Sequence, residues 1–464
     1  MRDAAWFLGA TVLVLGAVSS VSAENWPQWR GPFFNGSTTE RNLPASCDPQ
    51  YRLWAADLPG HSSATPIVWG DRIFVSSTDP EDKGLLAMCL STADGKVLWR
   101  KRLGTDIRAP RNDGATPSPC TDGHRVYFLY GSGDLAALDF DGRVVWSRNL
   151  VRDFGNLCTK YGYSSSPLLY GGRLYVQMLR RPKPYYGLAM TDQPLDSFLL
   201  AVDPATGKDL WKQVRGTDAQ DESHESYATP VPFEAGGRAE ILIAGGDYVT
   251  GHDPATGREF WRYGYSTARS TYWRLIPSPA AWGNLVFGVT PRGGPVFALR
   301  AGGTGLLGAQ AVVWTFGGRT TDSGTPLVYD SALYILQSDK SDPVVKGSPV
   351  SPGIFLFCID PKTGAQRGQA RLADGGTWRA SPTGADGKVY CLSEEGEGVV
   401  VEAGGEFKIL SRTKLGDGPT QATIAAAGER LYVRTATRLH CFGSKSKQGP
   451  GLTPGPTPPA ARRG

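Results

Sequence analysis

The 464-residue sequence predicts an all-β fold: an eight-bladed β-propeller of four-stranded blades, the last blade closed by an N-terminal strand. Three observations carry that prediction. A phrase of Ser or Thr, proline, a Gly-containing turn and an apolar strand recurs along the chain. Between its copies lies a second phrase: an apolar strand ending in an acid, a tight turn, and a strand with tryptophan. The last copy stops one strand short, while a strand without a module stands ahead of the first copy.

The first phrase runs from Ser63-Ala64-Thr65-Pro66 to Ile73-Phe74-Val75. It returns at Pro117, Pro167, Pro230, Pro279, Pro326 and Pro382, and Ile424 takes the proline slot of an eighth copy. Proline has no N–H to give to a ladder, so it suits an innermost strand with one free edge. The second phrase reads Asp203-Pro204-Ala205-Thr206-Gly207 before Trp211, and Asp253-Pro254-Ala255-Thr256-Gly257 before Trp261. Its proline presets φ at the turn and its glycine supplies the positive φ that reverses the chain. Trp54, Trp99, Trp146, Trp211, Trp261 and Trp314 fall on outermost strands, where a broad ring fills the gap between blades; modules 6 and 7 lack it.

The eighth copy has strands near 421–426, 430–435 and 438–442 and then stops. The missing fourth strand is 51–56, and pairing the two ends closes the ring and removes two exposed sheet edges. Ala425-Ala426-Ala427 favours helix by local propensity, but its place in the repeat makes it a strand. An open solenoid or tandem sandwiches would leave both the surplus and the deficit unexplained.

Composition agrees. The 59 glycines and 34 prolines make up a fifth of the chain, as many turns between short strands require. Of the formal charge of +5, four units belong to Lys445, Lys447, Arg462 and Arg463, and residues 24–443 are nearly neutral. That excludes the electrostatic footprint of a nucleic-acid binder. Arg2, the apolar run 4–18 and the small residues up to Ala23 read as a secretory signal over residues 1–23. The expected organisation is thus signal 1–23, propeller 24–443, and a disordered Pro/Gly-rich basic tail 444–464. An exported chain, periplasmic or secreted, monomeric and with no later membrane-spanning segment, is expected.

The repeats, with their Asp-Pro-x-Thr-Gly turns and tryptophans, resemble the pyrroloquinoline-quinone-like (PQQ-like) propeller family. That family takes in quinoprotein alcohol dehydrogenases and the BamB type of outer-membrane assembly lipoprotein. The opening Trp26-Pro27-Gln28-Trp29-Arg30-Gly31-Pro32 is similar to the start of exported PQQ-like repeat proteins of planctomycete type. The resemblance spans about residues 25–443 and speaks to fold more than activity. It implies PQQ with Ca²⁺ as the cofactor if the chain is an enzyme. The vicinal cysteine pair of the catalytic members is missing, as is a C-x-x-C-H haem signature.

Cys89, Cys358 and Cys441 occupy third-strand positions where other copies carry Ala or Gly, and Cys391 replaces an aliphatic residue, so these four read as small buried hydrophobes. Cys47, Cys120 and Cys158 read as loop or strand-end residues, among which a disulfide could form.

The connectors leading into each Ser/Thr–Pro phrase should converge on one mouth of the channel. The first brings His61, the second Arg111, Asn112 and Asp113, the third Tyr161 and Tyr163. The fourth brings His224, Glu225 and Tyr227, and the fifth Trp273 and Arg274. The sixth and seventh bring Asp322, Trp378 and Arg379. Aromatic faces, guanidinium and carboxylate groups in one ring can hold a planar anion, a sugar or a peptide segment. Solvated loops show the same polarity, so the ring defines a candidate surface and no chemistry. The acidic connector 218–225 lacks the ligand spacing of an EF-hand and reads as a solvated loop; the five histidines show no zinc spacing.

The sequence therefore favours a non-catalytic binding or scaffold propeller, engaging an envelope protein or a small-molecule ligand through its mouth. One alternative is a quinoprotein-like dehydrogenase with PQQ near Arg111, Trp273, Trp378 and Arg379, and with Asp113, Glu225 or Asp322 as base. Another is a carbohydrate-binding propeller.

Overall fold

The computed structural model describes residues 24–444 apart from 108, 110, 158, 184–194, 267–269, 318–319 and 338–352. The expected signal segment, Cys158 and all of the expected tail beyond Ser444 lie outside the described residues. Eight sheets follow one another along the chain, seven of four strands and one of five, forming an eight-bladed β-propeller. In the first blade Ile67–Trp69, Arg72–Asp79, Gly84–Ser91 and Val97–Thr105 pair antiparallel in that order. The middle two strands are buried almost throughout, because neighbouring blades cover both faces; Gly84–Ser91 is an apolar run, while Arg72–Asp79 buries Ser76, Ser77 and Thr78 beside its apolar residues. The fourth strand is largely exposed and carries Arg100, Lys101 and Arg102 at its middle.

The ring closes as the sequence predicts. Arg52–Asp57 pairs antiparallel with Arg438–Gly443, completing a sheet with Arg430–Arg434 and Ala425–Ala427. The buried Arg434 guanidinium reinforces this closure by donating to the Gly60 and Ser76 carbonyls of the first blade, at 2.9 and 2.5 Å. The first strand of this blade begins at Ala425 instead of 421, because Thr423 just upstream is engaged with the first blade at the channel.

That engagement belongs to a larger ring. The residue ahead of each innermost strand is a Ser or Thr, and in seven of the eight, all but Thr423, its hydroxyl accepts the backbone N–H of its counterpart in the preceding blade. Thr65 donates to Ser118, Ser118 to Ser166, and Ser166 to Thr229, at 2.9 to 3.0 Å. Thr229 donates to Ser278, Ser278 to Thr325, and Thr325 to Ser381, at 2.8 to 3.0 Å. Thr423 donates to Thr65 at 3.2 Å, bringing the relay back to its start. In the second module the proline after the ring residue is Pro119, not Pro117 as the sequence phrase suggested. Proline follows naturally: it holds the preceding residue extended and adds no further N–H to satisfy at the free edge.

The tryptophans stitch the perimeter. Trp54, Trp99, Trp146 and Trp314 each donate from Nε1 to a carbonyl at the third-strand turn of the next blade, at 2.8 to 3.0 Å. The indole lies on the turn glycine: a Cβ on Gly207 would stand 2.6 Å from the Trp146 ring. Gly207 is thus required twice, for its φ of +72° and for the space above it. Blade 4 departs from the pattern because Gly305–Leu307 adds to its outer edge as a parallel fifth strand, and Trp261 turns to Glu240 at 2.6 Å. In blade 6 Gly368 replaces the tryptophan, and the Gly405 backbone with Phe407 of blade 7 closes against it.

Cys89, Cys358 and Cys441 lie on third strands and, like Cys391, are buried and free. Cys47 and Cys120 are also buried and free. Burial pushes the Cys47, Cys89 and Cys441 thiols up to about 12, far from thiolate chemistry.

The two demands on Gly207 can be separated experimentally. Gly171 has φ +55° with open space around it, so Gly171→Ala should cost roughly 1 kcal/mol of strain. Gly207→Ala adds overlap with the indole and should cost roughly 3 kcal/mol in chemical denaturation.

Candidate functional site

The connectors enter where the innermost strands begin, so they build the wall of a funnel above the hydroxyl ring. The opposite ends of the same strands are laced by the N-terminal segment. Trp26 exchanges two 2.9 Å backbone hydrogen bonds with Val68 of blade 1, and Pro27 accepts from Thr121 of blade 2. Asn35 accepts from Val328 of blade 6, and Gly36 from Gly384 of blade 7. Glu40 caps the turn of blade 8, accepting from Gly428 and Glu429 at 2.9 Å. In the middle of this crossing Arg30 is only 1% exposed and reaches the Pro326 and Pro382 carbonyls, both at 3.0 Å. A Cβ on Gly36 would collide with its guanidinium, so glycine is needed there. Trp29, next to Arg30, faces the funnel from below.

The funnel has a volume of about 380 Å³. Of the residues expected at the mouth, Arg111, Asn112, Tyr161, Tyr227, Arg274, Asp322 and Arg379 line it. Others are placed elsewhere. Trp378 is fully buried in the core between blades 6 and 7, and Tyr163 is buried with its hydroxyl donating to the Gln177 carbonyl at 2.7 Å. Asp113 is buried behind the wall against His61, whose Nδ1 lies 2.5 Å from it. His224 and Trp273 lie off the lining; Trp273 is fixed through its backbone N–H to the Ser223 hydroxyl at 2.8 Å. The sequence reading missed Trp29, Arg292 and Gln421, which line the funnel, and the hydroxyl ring, whose signal was the Ser/Thr before each strand.

Ion pairs organise the wall. Tyr161 has the Arg111 and Arg274 guanidinium carbons 5.4 and 5.5 Å from its ring centroid and Tyr227 at 6.3 Å. Arg274 pairs with Asp322 at 3.2 Å and with Glu222 at 3.5 Å. Glu222 also takes Lys160 at 2.9 Å and Arg292 at 3.8 Å, and Arg379 grips Glu394 at 2.5 Å. Glu225 is fully buried, accepting from the Lys160 amide at 2.9 Å and the Tyr227 hydroxyl at 2.7 Å, with Arg181 3.4 Å away. The acidic connector is therefore no solvated loop: Glu222 and Glu225 are internal struts of the wall. Arg111 has no carboxylate partner among the described residues, so the funnel is left with exposed positive charge.

These residues fit a planar anion but not a calcium–quinone pair. Trp29 and the arginines suit an aromatic polycarboxylate. Each acid of the wall is already spent on a cation or a buried hydrogen bond, and no cluster of three metal-ligating side chains occurs among the described residues.

Fold and funnel together define a PQQ-like β-propeller. The family description "Outer membrane protein assembly factor BamB" matches residues 50–176 and 83–341, and the chain belongs to that family. It is 24% identical over 229 residues to a polyvinylalcohol dehydrogenase of Pseudomonas sp, covering 47% of this chain and 32% of that protein. Against the polyvinylalcohol dehydrogenase of Sphingopyxis sp. (strain 113P3) the figures are 26% over 196 residues, 41% and 28%. The matched stretch thus spans about a third of these curated relatives. Among solved structures, BamB from Moraxella catarrhalis aligns with TM-score 0.56 at 12% identity, covering 84% of this chain and 99% of that one. Quinohemoprotein alcohol dehydrogenase from Comamonas testosteroni aligns with TM-score 0.61 at 13% identity, covering 92% and 82%. Both likenesses are of fold alone.

Burial pushes the Glu225 carboxyl up to about 7 from an ordinary 4.5. Between pH 4.5 and 7 the folded chain keeps a proton that the unfolded chain has released, so stability falls as pH rises through that window and levels above it. Glu225→Gln should remove a fall worth up to one proton, measured by denaturant unfolding across that range.

Proposed function

We propose that this chain is an exported, non-catalytic binding propeller whose funnel receives an acidic small molecule or an acidic segment of an envelope protein. The observation that carries this reading is the charge balance of the wall. Its carboxylates are consumed by internal ion pairs, while Arg111 and the guanidinium faces over Tyr161 remain open to the cavity. Crossing of the far end by residues 26–40 favours a ligand that enters and leaves by one mouth. Membership of a family described by BamB supports a partner-binding role, and no helix among the described residues is long and apolar enough to cross a membrane.

The likeness to dehydrogenases favours a second reading, a PQQ-dependent oxidoreductase, in which the quinone would rest on Trp29 beneath the arginines. One experiment separates the two. PQQ, used as a planar tricarboxylate probe, should quench tryptophan fluorescence equally with EDTA and with calcium. Arg111→Ala should weaken it about tenfold, the loss of one charge-assisted contact. No dye reduction should follow with ethanol or polyvinyl alcohol. Calcium-dependent turnover would overturn the binding reading, and absence of PQQ binding in both conditions would sink the anion-receiving funnel.

A further inference from the structure

The hydroxyl ring and the buried Arg30 each present a chemical imbalance. Seven of the eight ring hydroxyls accept a backbone N–H from the preceding blade, yet none of the eight donates to a protein acceptor among the described residues. All are at least nine-tenths buried, and Ser118, Ser166, Thr229, Thr325, Ser381 and Thr423 face the funnel. Six O–H groups thus converge on one throat with their protons unspent, a costly arrangement unless an acceptor sits between them.

Arg30 supplies the second imbalance. Its guanidinium is buried beside the ring, bonded to the carbonyls of Pro326 and Pro382, which immediately follow ring residues Thr325 and Ser381. Its other side-chain acceptor is the Asn35 carbonyl, and no carboxylate pairs with it among the described residues. Burial lowers its pKa only to about 9, so it remains a cation at neutral pH. A buried positive charge held by neutral carbonyls calls for a counter-charge. A cation at the throat would face both Arg30 and the arginines above it; water would leave Arg30 uncompensated.

We propose that the throat of the funnel is an oxyanion seat, in which the carboxylate or phosphate head of the ligand accepts from the ring hydroxyls next to Arg30. This rests on the anion-receiving reading of the funnel and goes further by placing the charged head at the bottom, with the remainder of the ligand rising past Trp29 toward Arg111. The hydroxyl ring selects for an acceptor with several lone pairs, and Trp29 beside it accommodates a flat or apolar body.

Thr423 gives a clean test, because no inter-blade amide donates to its hydroxyl, so Thr423→Val deletes a donor without orphaning an N–H. The full chain would be titrated calorimetrically with phenylphosphonate, benzoate and neutral benzyl alcohol. Either anion should bind at least about tenfold more tightly than the alcohol, and whichever is stronger names the head group. Thr423→Val should weaken that anion about tenfold with Tm unchanged, and Thr423→Ser should restore it. Undiminished anion binding in Thr423→Val, lost instead in Arg111→Ala, would place the head at the rim and overturn the seat while the funnel reading stands. Failure of both anions to bind while PQQ still quenches would also overturn the seat alone. Failure of all three anions would remove both.

Discussion

Closure of the ring is the constraint on which the rest depends. Residues 52–57 must pair with residues 438–443, nearly four hundred positions apart, before any connector can face another across a common axis. The pairing costs long-range chain entropy, and three sets of contacts offset it at once: the ladder itself, the Arg434 bridge to the first blade, and the last step of the hydroxyl relay from Thr423 to Thr65. Each is individually modest. Together they make the eighth blade depend on the first at the inner edge, through the sheet and at the rim, so that partial closure satisfies none of them fully.

The same blade-to-blade contact is made by different chemistry at different radii. Near the axis blades are too close for large side chains, and a Ser or Thr hydroxyl spans the gap to the next amide. At the perimeter blades splay apart, and an indole is wide enough to reach the next turn and still hydrogen-bond it. Where a blade departs from the rule, the reason is visible: an added strand displaces Trp261, and in blade 6 a backbone segment closes on Gly368 where the ring would have stood.

This radial logic explains what could be read from the sequence. The blade count, the strand order and the closing strand all follow from spacing, which is a one-dimensional signal, and Ala425–Ala427 is a strand against its propensity because spacing outranks local preference. The reason for the Ser/Thr before each strand was not legible, because its partner lies a whole module away and only the folded ring brings the two together. The wall was legible in part. Arg111, Tyr161 and Arg379 do face the cavity, but Trp378 and Tyr163, one or two residues from lining positions, point inward. Connectors have no period from which an inward face can be deduced. The N-terminal crossing was least legible of all, since Arg30 acts through carbonyls of blades 6 and 7 some three hundred residues away.

A fold shared with both an assembly factor and dehydrogenases leaves the division between binding and catalysis to a few side chains. The proposed binding role rests on where the acids spend their charge. Metal-assisted or general-base chemistry needs a carboxylate with a free lone pair turned toward the substrate. Glu222 is shared among Lys160, Arg274 and Arg292, Asp322 holds Arg274, and Glu394 holds Arg379. Burial raises the Glu225 carboxyl to about 7, and it accepts from the Tyr227 hydroxyl. The acids therefore act inward, fixing the arginines in place, and the arginines present what charge remains to the cavity. That arrangement leaves the unpaired guanidinium charge of Arg111 facing the cavity, which suits the proposed anion.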